Sequence, residues 1–534
     1  MSVFLLEEVL IPTLEFLEDD IQSLHSCLLV NRFWCRCAVP ILWRCPFEDL
    51  WSGSHFKLIN SYLECLDESS KDLLREFFCG IFPTSTLDTQ PAFDYIKFLQ
   101  KLDYQALHQA IESWCKYQGI DTYQGIDTHV ITQDLEPDMV LYPTSIILDL
   151  LIDLIVEQSI NLSKLSMSVV SHREGEYLDL YRYEEFADTF LPKLQFLDCD
   201  DCIPRNLSFA SRIATNLNKL NIECSWGNDV EIFLLLQSQK KLKHLTVIKR
   251  WPHLDKDALE KKFLSNSLTR VDFINNRNPI DNGGPLCVLS VCKNLEILRF
   301  DNWMPFRKDD LLTLAAASFP HLRKLVFTRC KPPPIALATM ITTNGLSLRE
   351  FILTWQCNEG VGKRSNPRHT KVIQAIAYNC PNLTYLDVPI ESEDLEELYQ
   401  LLCNCTKLVS LTINTSANDN KEDFYYPVDH FLPAMGFVIP QTLSRLKIFA
   451  PWKFSAESLR KFLLETCKAQ IKCMGLYRWI NDEHLAVVTR YAKERKCLRV
   501  LILHWCETTY PIRQKAREAI VDLQVFDPIG RRLE

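Results

Sequence analysis

From residue 161 onward one phrase keeps returning: "NLSKLSM", "KLQFLDC", "NLNKLNI", "KLKHLTV", "SLTRVDF", "NLEILRF", "HLRKLVF", "SLREFIL", "NLTYLDV", "KLVSLTI", "TLSRLKI", a weaker "QIKCMGL" and "CLRVLIL". Each carries apolar residues at positions 0, +3 and +5. The first apolar residues are Leu162, Leu194, Leu217, Leu242, Leu268, Leu295, Leu322, Leu348, Leu383, Leu408, Leu443, Ile471 and Leu498. Their gaps run from 23 to 35 residues and most fall between 25 and 28, a period that unrelated apolar residues do not keep. A unit this short cannot bury its own apolar face, so neighbours must stack to make a core.

The intervals read as helices with one apolar face, for example "DDLLTLAAASF" at 309–319, "KVIQAIAYNC" at 371–380 and "EDLEELYQLLCNC" at 393–405. Strand followed by helix at this period resembles the leucine-rich repeat, L-x-x-L-x-L with Asn or Cys three residues later. That position holds Cys202, Asn276, Cys330 and Cys506 in four of the thirteen copies, so the family's side-chain ladder is incomplete. The resemblance implies an α/β solenoid of about 13 repeats over 161–534, closed by a C-terminal cap. Longer gaps carry "CNEGVGKRSNPRHT" at 357–370 and "NDNKEDFYYPVDHF" at 418–431, which are expected to be exposed loops.

Residues 1–47 are outside the repeat. "LLEEVLIPTLEFL" sets Leu6, Leu10, Leu14 and Leu17 on one helical face, and "SLHSCLLVNRFWCRCAVPILW" follows. This stretch resembles the F-box of fungal F-box-like proteins, a small helical module that docks the Skp-type adaptor of a cullin-based ubiquitin ligase. The resemblance implies adaptor contacts at Leu5, Leu10, Leu14, Leu17, Leu24, Leu28, Val30, Trp34 and Trp43. Glu8, Asn31 and Arg32 also match its pattern. Leu6 replaces the usual proline, Thr13 stands at an isoleucine position, and Pro12, inside the first helix, is expected to end or kink it.

Between lies 48–160, expected to be a helical connector from "HFKLINSYLECL", "KDLLREFF", "AFDYIKFLQKL" and "YQALHQAIESW". It also holds a tandem "YQGIDT" at 118–123 and 124–129, read as a duplicated loop. "TSIILDLLIDLIVEQSI" at 144–160 repeats an acidic residue every fourth position, at Asp149, Asp153 and Glu157, and so reads as an amphipathic helix, not a membrane span.

No catalytic constellation emerges, and no cofactor or metal is expected. "NEGVGKRS" fails the phosphate-loop pattern at Cys357 and Arg364, and the 12 histidines show no H-E-x-x-H. Cys27, Cys35, Cys37 and Cys45 lack zinc-like spacing. Cys199 and Cys202 fall on a strand and its closing turn, while Cys292, Cys380 and Cys405 recur three residues before a repeat leucine, which marks packing. A net charge of −9 argues against a nucleic-acid partner. Glu7 and Glu8 stand where a secretory signal would be basic, and 21 cysteines suit a reduced cytoplasmic or nuclear compartment.

Strand residues at +2 should point out to the open, concave side. There Lys219, His244, Arg270, Lys324, Tyr385 and Arg445 are candidate contacts for a protein target, an acidic or phosphorylated segment suiting the basic ones. Seven tryptophans, including Trp303, Trp355, Trp479 and Trp505, fall seven to nine residues after a repeat's first apolar residue. They either cap the core along one rim or form a partner-binding edge. The expected function is substrate receptor of a Skp-cullin-F-box ligase, itself not an enzyme. The alternative is an interaction scaffold whose diverged F-box no longer engages the adaptor.

Overall fold

The computed structural model describes residues 7–47, 56–78, 87, 89–122, 142–167, 178–186, 191, 193–199, 202–223, 228–250, 267–275, 286–303, 306, 308–354, 369–415, 425–527 and 531–533. The chain divides into two compact units, Met1–Lys243 and His244–Glu534.

The first unit opens with three helices, α1 (Glu7–Glu15), α2 (Ile21–Leu28) and α3 (Arg32–Leu42). Asp20 caps α2 by accepting from the Ser23 amide, and Asn31 caps α3 by accepting from the amides of Phe33 and Trp34. Each cap satisfies an amide that helix geometry leaves without a partner. Leu10, Leu14, Leu24, Cys37, Ala38 and Ile41 form a closed core between the helices. Pro12 does not end α1, which runs on to Glu15. The proline is exposed and one turn from the helix end, so it removes a single hydrogen bond, and the Thr13 hydroxyl donates to the Val9 carbonyl at 2.7 Å.

The connector contains the expected helices at Phe56–Glu64, Glu68–Phe77 and Tyr104–Gln118, and the helix Pro143–Gln158 buries its apolar sides while Asp149 and Glu157 stay exposed. "AFDYIKFLQKL" is not a helix. It forms a short 3-10 turn, Tyr95–Phe98, and then strand β1 (Lys101–Asp103). Parallel strands β2 (Lys164–Ser166), β3 (Phe196–Cys199) and β4 (Lys219–Glu223) follow it in register, Lys101 pairing with Lys164, Lys164 with Phe196 and Phe196 with Lys219.

At each of these rungs one carbonyl receives two successive amides at the start of the next strand. Ser163 and Lys164 donate to the Gln100 carbonyl, Gln195 and Phe196 to that of Ser163, and Asn218 and Lys219 to that of Gln195. The first acceptor of the series belongs to no strand. It is the Arg44 carbonyl, just past α3, which receives Gln100 at 2.9 Å and Lys101 at 3.0 Å.

In the second unit, eleven strands among the described residues continue the same parallel pattern. They are β5 (His244–Ile248), β6 (Arg270–Ile274), β7 (Ile297–Asp301), β8 (Lys324–Thr328), β9 (Glu350–Thr354), β10 (Tyr385–Pro389), β11 (Ser410–Asn414), β13 (Arg445–Ile448), β15 (Cys473–Tyr477), β16 (Val500–His504) and β17 (Asp522–Phe526). Two short strands, β12 (Tyr426–Pro427) and β14 (Trp452–Lys453), pair with each other, so part of the expected loop at 418–431 is strand. The intervening helices, among them Pro334–Asn344, Thr370–Asn379 and Leu395–Asn404, pack each on the next.

Positions +3 and +5 point inward, as alternation along a strand requires. Phe273, Phe300 and Phe327 stack at +5, with centroids 4.8 and 5.0 Å apart and planes within 11° of parallel. The turn after the strand takes left-handed backbone at +7: Lys249, Asn275, Asn302, Arg329, Arg478 and Trp505 all have positive φ. Their amides each reach the following strand, for example Arg329 to the Thr354 carbonyl at 2.8 Å, so ladder bonds compensate a conformation L-residues otherwise disfavour.

The fold is an α/β solenoid of the leucine-rich-repeat class. Cys292, Cys380 and Cys405 are buried, and burial pushes the thiols of Cys292 and Cys405 up to about 12, which suits packing, not nucleophilic, cysteines. The same holds at Cys330, whose thiol is also raised by burial to about 12 and which receives the Trp303 amide at 3.4 Å. The phosphate-loop-like segment and the second "YQGIDT" copy lie outside the described residues.

Candidate functional site: two exposed faces

Two surfaces carry the residues singled out from the sequence. On the N-terminal helices, Leu10, Leu14 and Leu24 are 1% exposed and form the interior. Leu17, Leu28 and Trp34 are half-buried against that core. Trp43 is turned away toward the connector, its ring 4.0 Å from that of Tyr95 and 5.4 Å from that of Tyr62. Leu5 lies outside the described residues. Of the eight described, Val30 alone is exposed. The apolar side chains that do face solvent are Val9, Phe16, Ile21, Leu29 and Val30, with Phe16 92% and Leu29 79% exposed. Sequence reasoning missed four of these because leucine periodicity finds the buried face, and the exposed apolar residues lie off it.

The open face of the ladder carries the +2 column, and Lys219, His244, Arg270, Lys324 and Tyr385 are half-exposed there while Arg445 is exposed. The structure gives most of the basic members a partner within the ladder. The Lys164 and Lys219 ammonium groups lie 5.3 and 4.5 Å from the Phe196 ring centre, cation–π contacts from either side. His244 Nε2 and Arg270 both bond Asp272 Oδ2, at 2.8 and 2.9 Å. Burial pushes the Asp272 carboxyl up, but these hydrogen bonds outweigh it and hold it below the usual range. Arg299 and Arg329 close on Asp301 at 2.6 Å each, and Lys324 pairs with Glu350 at 2.6 Å. The basic column over β5 to β9 is thus largely neutralised.

The tryptophans divide. Trp303 is 4% exposed and Trp452 1%, so both are core. Trp479 and Trp505 are half-exposed and bracket Arg478, whose guanidinium lies 3.5 Å from the Trp505 ring centre and 5.4 Å from that of Trp479. Trp355 lies outside the described residues. Among those residues no three His, Cys, Asp or Glu side chains are placed to hold a metal ion, and no helix is long and apolar enough to cross a membrane.

No protein-family model matches this sequence, and no curated protein resembles it closely enough to be matched. Solved structures match it at low identity. An internalin from Listeria monocytogenes is 14% identical with a TM-score of 0.36, covering 74% of this chain and 93% of that one. A leucine-rich-repeat protein of Leptospira interrogans is 15% identical with a TM-score of 0.33, covering 70% and 85%. The yeast Rad7 and Elc1 complex gives 12% identity and a TM-score of 0.36, covering 64% and 78%.

Proposed function

We propose that this chain is the substrate-receptor subunit of a Skp-cullin-F-box type ubiquitin ligase, working in the cytoplasm or nucleus. Residues 1–47 dock the Skp-type adaptor and through it the cullin, while the open face of the repeats takes a protein target. The observation that carries the reading is the pairing of a closed three-helix core with apolar side chains left outside it, Phe16 and Leu29 foremost. Large exposed apolar groups on a small module mark a surface that a partner covers. Bond making belongs to the conjugating enzyme that the cullin carries, and the receptor supplies proximity.

Copurification with a Skp-type adaptor tests it. The intact chain recovers the adaptor, and Phe16→Glu with Leu29→Glu abolishes recovery while leaving the fold intact by circular dichroism. If the intact chain recovers none, the chain is a leucine-rich-repeat interaction scaffold without a ligase.

A further inference from the structure

The last rungs of the ladder differ from those before them. The +4 positions of β13, β15, β16 and β17 are Lys447, Gly475, Ile502 and Gln524, paired side by side. Gly475 is buried and has no side chain there, and a Cβ added to it would meet the Phe449 ring at 2.9 Å and Lys447 Cγ at 3.0 Å. The ring therefore lies across the strand where no side chain rises. Beside it His504 stacks on Phe526 at 4.4 Å and 9°, and Phe449 meets His504 edge-on at 5.4 Å. All three rings remain half-exposed.

The charge is also different. Over β5 to β9 the arginines and Lys324 sit on Asp272, Asp301 or Glu350. Lys447 and Arg445, among the described residues, have no carboxylate at ion-pair distance. Asp387, which interacts with Lys447 through space, lies two strands away along the Asp387, Thr412, Lys447 row. The Lys447 ammonium is held 6.0 Å from the Phe449 ring centre. Lys447 also disfavours protonation of His504, adding to burial, so the imidazole is presented neutral, as a stacking surface.

We infer that this aromatic patch is the target-binding subsite, and that it takes an extended acidic peptide whose aromatic side chain lies against Phe449, His504 and Phe526 while a neighbouring carboxylate reaches Lys447 and Arg445. The inference rests on the receptor reading above. Aromatic faces with cations also suit single-stranded nucleic acid, but such sites follow a run of phosphates with a continuous basic groove. Here two cations flank the patch on a chain of net charge −9.

Selection of phage-displayed random linear peptides on the purified full-length chain tests this, followed by fluorescence anisotropy with the enriched peptides. Enriched sequences are expected to place Asp or Glu beside an aromatic residue. Lys447→Glu and Phe449→Ala should each weaken their binding roughly tenfold or more, with circular dichroism unchanged. Enrichment of sequences without acidic residues, no enrichment, unchanged affinity in both variants, or displacement of the peptide by oligouridine each overturns it. Peptides lost on Arg299→Glu but not on Lys447→Glu would keep an open-face receptor and overturn this subsite. Adaptor recovery does not depend on these side chains, so failure here is distinguishable from failure of the ligase reading.

Discussion

The Lys101 amide donates to the Arg44 carbonyl at 3.0 Å, joining the first ladder strand to the end of the N-terminal helices. The same geometry recurs from Gln100 to Lys164 and from Ser163 to Phe196, so the helical module occupies the position of a preceding rung. It covers an edge that would otherwise be left unpaired.

Deleting residues 1–47 should therefore loosen the strand beyond them. Hydrogen exchange resolved by mass spectrometry is expected to show lost protection at Gln100 and Lys101, with Tyr385 and Ser410 unchanged. Unchanged protection at Lys101 would mean that the bond to Arg44 contributes nothing.

Trp43 packs on the connector. Its ring lies on Tyr95 and Tyr62, so Trp43→Ala should destabilise the first unit by about 2 to 3 kcal/mol, near the low end for a large aromatic because the ring is half-exposed. Trp43→Phe should recover much of the loss. Adaptor recovery should follow the folded fraction, measured by chemical denaturation, in contrast to Phe16→Glu.

Phe300 sits between Phe273 and Phe327 with no exposed surface. Phe300→Ala removes both ring contacts and opens a cavity, costing about 3 to 5 kcal/mol, with Phe300→Leu milder. Guanidinium denaturation followed by a probe in the second unit measures the difference.

Two groups act oppositely as the pH falls. His369 is 1% exposed, and burial lowers its pKa from 6.5 to about 4, opposed by Glu391. The folded state holds it neutral, so its contribution is present above 6.5 and is lost as pH falls toward 4, up to roughly 3 kcal/mol. His369→Gln should flatten that acid loss in a series of melting temperatures.

Asp387 is raised by burial to about 6, against the lowering effects of the Asn414 hydrogen bond and Lys447. The unfolded carboxyl ionises near 3.8, so ionising the folded one costs stability as pH rises from there through about 6. Asp387→Asn keeps an oxygen for the Asn414 amide. It should melt higher than the parent at neutral pH and equally below 3.8.

Much of this architecture was legible in the letters because its cause is local. The apolar triple at 0, +3 and +5 fixes which side of each strand is buried, and the helices at 370–379 and 395–404 follow from their own periodicity. Lys101–Asp103 was not legible, since three residues after a helix-like run hold a strand only when Arg44 and Lys164 supply its neighbours.

The sequence by itself determined the repeat, its register and the inward column Phe273, Phe300 and Phe327. The tertiary structure alone decided which side chains meet. Parallel strands about 4.8 Å apart bring together residues a whole repeat distant, such as His244 with Asp272 and Arg329 with Asp301. That proximity neutralises a column that reads as basic and turns Trp303 inward. It also lets the Phe449 ring lie over Gly475 beside Lys447.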